Sequence, residues 1–159
     1  MTGLDTRQLK VEIVRPALQA LGLWSRAAEN LVTGTALVES RAAYLRQVGG
    51  GPALGLWQME PATHDDCWKN WLCAPARSRQ ATALRQMIGS LNPSAELMIS
   101  NLLYAAGVAR IRYQRVATPL PDATDAAGLS QYHKDFYNTP QGAADPLANV
   151  AFFSEAIAA

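Results

Sequence analysis

The sequence predicts a single, mainly α domain with one short β-like excursion after its second helix. Three observations carry that prediction. The chain has 159 residues, the length of one domain. Apolar residues recur at helical spacing over most of it, bounded by recognisable start and stop signals. The pattern lapses from Arg41 to Pro61, where the run GGGPALGLWQMEP stands in its place.

The elements follow in order. Asp5 and Gln8 have capping-box spacing, and Leu9, Ile13, Val14, Ala17, Leu18 and Leu21 then recur on one helix face. Pro16 within that pattern predicts a kink or a break just before it, and Gly22 ends the element. Ser25 caps a second helix carrying Ala28, Leu31, Val32, Thr35, Ala36 and Glu39. Tyr44 to Val48 predicts a short strand, with the glycines turning into a second, irregular one. Pro61 suits the first turn of a helix to about Leu72, and Ala76 to Ile88 is helical again. Asn92 and Pro93 predict the start of a long helix to about Val116. Its middle is apolar nearly all round, as in a buried central helix. Thr118 to Pro121 reads as a linker. A helix from about Asp122 to Tyr137 and another from Asp145 complete the chain.

Composition excludes several function classes. Hydrophobic residues make up 49% and charged ones 17%, a globular balance without a disorder signature. The formal net charge of +1 gives no basic face for nucleic acid. The opening MTGLDTRQLK has no apolar core of a secretory signal. The longest near-apolar run, Leu97 to Ala109, is interrupted by Ser100 and Asn101 and is too short for membrane insertion. A protein made in the cytosol, and a monomer, is expected. Cys67 and Cys73 are expected as free thiols, with a disulfide the alternative. His64, His133 and Cys67 have no recognised ligand spacing, so no metal or other cofactor is expected and the histidines read as structural or surface residues.

Glu39 is the candidate catalytic residue. It shares the face of Val32, Thr35 and Ala36, and it falls at the predicted C-terminal end of its helix. Apolar surroundings and the helix dipole both disfavour the charged form of a carboxyl there, as a general acid requires. The alternative is a surface Glu at a frayed helix end.

The segments TALVES and GLWQMEPATH resemble the lysozyme-like lytic transglycosylases, in which a helix ends in Glu-Ser and a loop returns with a Gly-Leu-Met-Gln type segment. The matching residues are Glu39 and Ser40, then Gly55, Leu56, Trp57 and Gln58. Asn101 with Gly107 resembles the family's helix beneath the cleft, and LSQYHKDFYNTPQGA its late Tyr-Asn segment, which sets Tyr137 and Asn138 near the acid. The likeness covers roughly residues 25 to 142, with identity confined to short motifs. Trp57 stands where the family usually has Met, and the late motif has more residues before its glycine than usual.

The resemblance implies a lysozyme-like (α+β) fold with the β excursion after the catalytic helix. It implies peptidoglycan glycan strands as substrate, with Glu39 catalytic and Ser40, Gly55, Leu56, Trp57, Gln58, Tyr137 and Asn138 binding sugar. It further implies a phage or prophage enzyme acting on the wall after release or within a virion, with other lysis or virion proteins as candidate partners.

Hydrolytic lysozymes usually pair the acid with a second carboxylate. None occurs from Ser40 to Met59, and Glu60, Asp65 and Asp66 read as dipole-complementing residues at a helix start. A single acid points to the transglycosylase product, a 1,6-anhydro sugar, although some goose-type hydrolases share the pattern. Trp24, Trp68 and Trp71 are expected in the core, and Trp57 as an apolar wall or sugar platform. Arg41, Arg46 and the arginines from Arg77 to Arg85 could meet anionic peptide stems or simply form solvated faces. The rival to an enzyme is a non-catalytic lysozyme-like module that binds wall or builds a virion.

Overall fold

A computed structural model describes residues 3–138 and 144–159. The fold is mainly α. Helix α1 starts with Thr6–Gln8, widens into a π-helical stretch at Leu9–Val14 and continues as Arg15–Leu21. The Asp5 side chain accepts the Gln8 N–H at 2.9 Å. The widening lies just before Pro16, where the ladder lacks a donor: the Arg15 N–H reaches back to the Lys10 carbonyl. Gly22, at φ 68°, ends the helix.

Helix α2, Arg26–Ser40, is capped by the Ser25 hydroxyl on Ala28 N–H at 3.1 Å. It runs through the middle of the molecule, buried from Ala28 to Leu37. Helix α3, Pro61–Cys67, continues as a π-helical turn over Trp68–Leu72. A 3-10 turn, Pro75–Arg77, leads into α4, Ser78–Ile88.

The long helix expected from Asn92 to Val116 is instead two pieces, α5 at Leu97–Ser100 and α6 at Leu102–Gln114. Asn101 makes the break. Its backbone is extended, its side-chain oxygen accepts the Tyr104 N–H at 2.9 Å, and its amide donates to Met87 O at 2.8 Å. The burial expected of this helix holds for α6, which is covered from Tyr104 to Ile111. Helices α7, Ala126–Phe136, and α8, Pro146–Ala158, are capped by Asp125 and Asp145. They pack on each other, and α8 packs along α2.

Between α2 and α3 the chain forms no strand among the described residues. Two isolated antiparallel bridges, Arg46 with Leu54 and Leu54 with Met59, replace the two predicted strands. The reason is local. Gly49, Gly50 and Gly55 all take positive φ, and so does Gln58 at 44°, so the backbone keeps turning before a ladder can extend. Backbone bonds hold the turns, among them Gly55 N to Leu45 O at 2.9 Å and Met59 N to Leu54 O at 3.1 Å.

Trp24, expected in the core, is 47% exposed, whereas Trp68 and Trp71 pack against the core. Cys67 is buried and Cys73 exposed, and both are free thiols. No helix among the described residues is long and apolar enough to cross a membrane.

Candidate active site

The end of α2, the returning loop, the start of α3, Arg112 of α6 and the residues that follow α7 enclose a cavity of about 690 Å³. Glu39 lines it with a side chain that is 20% exposed. Its Oε1 lies 2.8 Å from Nε2 of His133, which is fully buried on α7. The site therefore joins two helices whose contributing residues are 94 positions apart.

The backbone after Glu39 is unusual. Arg41 and Ala42 take φ of 56° and 51°, in the left-handed region that disfavours side chains. Their N–H groups close the helix by bonding to Leu37 O and Ala36 O. With Gln58 they are the non-glycine residues of positive φ among the described residues, and Arg41 and Gln58 both line the cavity. Strain of this kind gathers where surrounding structure over-determines the backbone, commonly at functional sites.

Of the residues predicted to bind sugar, the structure brings some to the cavity and turns others away. Gln58 lines it, with its amide nitrogen donating to Gly55 O at 2.8 Å. Tyr137 and Asn138 line it too. The Tyr137 hydroxyl donates to Trp57 O at 2.9 Å, and its ring lies along His133 at 5.7 Å between centroids. Burial pushes the Tyr137 phenol well above its usual range, so it acts as a fixed neutral donor. Ser40 lies at the cavity edge but is only 2% exposed, and its hydroxyl is committed to Leu56 O at 2.7 Å. Its observed work is to tie the helix end to the returning loop.

Trp57 corrects the expectation of a sugar platform. It is 1% exposed, does not line the cavity, and donates its indole N–H to Val32 O at 2.8 Å. Its ring packs inward, with the left-handed Gln58 next in the chain and at the cavity. Leu56, at 2% exposure, is likewise core. Gly55 does permit a close approach, but to protein: a Cβ there, at φ 70°, would lie 2.5 Å from Met98 O. Asn101 and Gly107 also lie away from the cavity, the first as a cap and the second against Leu84. Thr139 to Gly142 of the late motif lie outside the described residues.

Three residues were missed as candidates. His133 read as structural, although its spacing four before Tyr137 sets both on one helix face. Glu60 read as a dipole-complementing residue, yet it lines the same cavity as Glu39 and its side chain makes no cap bond to α3. Tyr44 also lines the cavity and is 37% exposed, so it offers the aromatic surface that Trp57 withholds. Arg41 and Arg112 add positive charge to the wall. Among the described residues no three His, Cys, Asp or Glu side chains form a metal-binding group.

Chemically, the arrangement supplies one partly buried carboxyl held by an imidazole, a second exposed carboxylate, and hydrogen-bonding and aromatic surface around them. No family model matches the chain, and neither a curated protein nor a solved structure does.

Proposed function

We propose that this protein cleaves the β-1,4 bond between MurNAc and GlcNAc in peptidoglycan, with Glu39 as the single acid and base. The observation that carries the reading is Glu39 itself, a carboxyl one-fifth exposed at a cavity wall and held by a buried side chain. The protonated carboxyl delivers its proton to the glycosidic oxygen. The substrate's own acetamido group stabilises the oxocarbenium-like centre. Glu39, now a carboxylate, then takes the proton of the C6 hydroxyl as that oxygen closes the 1,6-anhydro ring. Positioned acid–base catalysis of this kind contributes roughly 10²–10⁴-fold. Tyr44 stacks on a sugar face and Gln58 holds a polar substituent. The fold is of the lysozyme-like class, and the protein serves phage-mediated lysis or wall penetration.

Glu60 favours a second reading, hydrolysis. A hydrolase needs a second carboxylate across the sugar from the acid, to attack or to activate water, and Glu60 shares the cavity with Glu39. Digestion of purified sacculi by the wild type, Glu39→Gln and Glu60→Gln tests both. Muropeptides lighter by one water, unchanged by Glu60→Gln, support the transglycosylase. Full-mass reducing ends that vanish with Glu60→Gln support the hydrolase. A wild type that releases nothing removes both.

A further inference from the structure

We infer that His133 is a positioning residue for Glu39: its Nε2–H occupies Oε1 and leaves Oε2 as the oxygen that carries the proton into the cavity. The inference rests on Glu39 as the acid. It deepens that reading by saying which oxygen reacts and what holds it.

The argument starts from the other imidazole nitrogen. His133 is fully buried, and its Nδ1 has no hydrogen-bond partner. Around it lie rings: Tyr137 stacks at 5.7 Å, and Phe153 of α8 lies at 5.9 Å between centroids. A proton on Nδ1 would be a buried donor with nothing to bond, and orphaned buried N–H groups are the rarer and costlier fault. An unshared lone pair is tolerated more readily. The ring proton of neutral His133 therefore sits on Nε2, facing Oε1 of Glu39 at 2.8 Å.

That assignment fixes the acid. With a donor already aimed at Oε1, a proton on the same oxygen would set two hydrogens against each other. The acidic proton must lie on Oε2. The donor is also in place for the carboxylate that remains after proton transfer, so the bond persists through the reaction while Oε2 alone changes state. His133 itself has no exposed surface and touches no substrate. It acts only through Glu39, much as the third group of a catalytic triad orients its neighbour.

Nitrogen-15 NMR of the histidine-labelled wild type at neutral pH reads the tautomer directly. Long-range proton–nitrogen correlations are expected to show the His133 proton on Nε2. A proton on Nδ1 overturns the inference. Kinetics with sacculi supply the second arm. His133→Gln keeps an N–H donor near the Nε2 position, and His133→Leu has similar bulk with none. The Gln variant is expected to keep kcat within about tenfold of wild type. The Leu variant is expected to lose on the order of 100-fold in kcat at nearly unchanged KM. Both lose the same ring, so equal losses, or a loss expressed in KM, mean packing alone and overturn the positioning role. If Glu39→Gln digests sacculi like the wild type, the acid assignment fails while the tautomer still decides the donor. If Glu39→Gln is inactive and the proton lies on Nδ1, the inference alone fails.

Discussion

The chain's two histidines occupy opposite situations. His64 is 1% exposed, and both ring nitrogens are engaged, Nδ1 with Asp65 at 2.8 Å and Nε2 with the Tyr104 hydroxyl at 2.7 Å. The Trp68 indole, which can only donate, gives its hydrogen to that hydroxyl at 2.9 Å. The ionised Asp65 carboxylate can only accept, so the ring proton of neutral His64 lies on Nδ1 and Nε2 accepts from the Tyr104 hydroxyl. The direction of every bond in this chain is settled. Burial also pushes the Tyr104 phenol well above its usual range. His133 is equally buried but has one bonded nitrogen, one unpartnered nitrogen, and a partner that opens onto a cavity. A saturated network makes structure, because no group in it has bonding capacity left to offer. In the incomplete one, the Glu39 carboxyl still faces the cavity.

The comparison breaks most visibly at Glu39. Glu39→Gln is expected to lower sacculus digestion by about 10³-fold. The amide oxygen still accepts from His133, so urea unfolding is expected to stay within about 1 kcal/mol of wild type. A destabilisation of several kcal/mol would assign Glu39 to the core instead. Tyr104→Phe is the mirror experiment. It orphans His64 Nε2 and the Trp68 indole together, for a loss of about 1–3 kcal/mol in urea unfolding, with turnover per folded molecule unchanged. Lost turnover at full stability would make the His64 network functional.

Smaller effects separate the two aromatic residues of the loop. Tyr44→Ala is expected to raise KM by roughly tenfold, equivalent to about 1.4 kcal/mol of sugar contact, and to leave the melting temperature near wild type. Trp57→Phe is expected to do the reverse, losing about 1 kcal/mol of stability with its bond to Val32 O and leaving KM alone. An unchanged KM in Tyr44→Ala would remove the sugar platform. The least effect belongs to Asp65→Asn. Asp65 is largely exposed, and the amide oxygen can still accept from Nδ1, so unfolding is expected to move by no more than about 0.5 kcal/mol.

What was legible in the sequence follows from how far its causes reach. Asp5, Ser25 and Asp145 mark helix starts because a cap bonds within three residues of itself, and Pro61 because its fixed φ suits the first turn, so local chemistry suffices. Asn101 works by the same local rule. It was hidden because the apolar pattern continues across it, and the periodicity outweighed the cap. The direction of Trp57 depended on a left-handed Gln58, a conformation seldom taken by any residue but glycine, asparagine or aspartate. The partnership of Glu39 with His133 depended on how α7 lies against α2, which no local pattern encodes. Glu60 was visible as a residue, but a helix start explains an acidic side chain well enough to conceal a cavity.

Trp57, turned away from the cavity, ties down the loop that forms one of its walls. Its indole is fastened to α2 through Val32, its carbonyl receives the Tyr137 hydroxyl beyond α7, and its neighbour Leu56 is fastened to Ser40. One short piece of loop is thus tied to α2 at two points and to the residue after α7 at a third. Across from it, Gly49 and Gly50 have no atoms within 4 Å of where a side chain would begin, and Val48 is 72% exposed. The cavity is a vice with one fixed jaw and one lightly braced jaw. On the proposed reading, a glycan strand would meet the firmly tied wall on the Trp57 side and the lightly braced one on the glycine side.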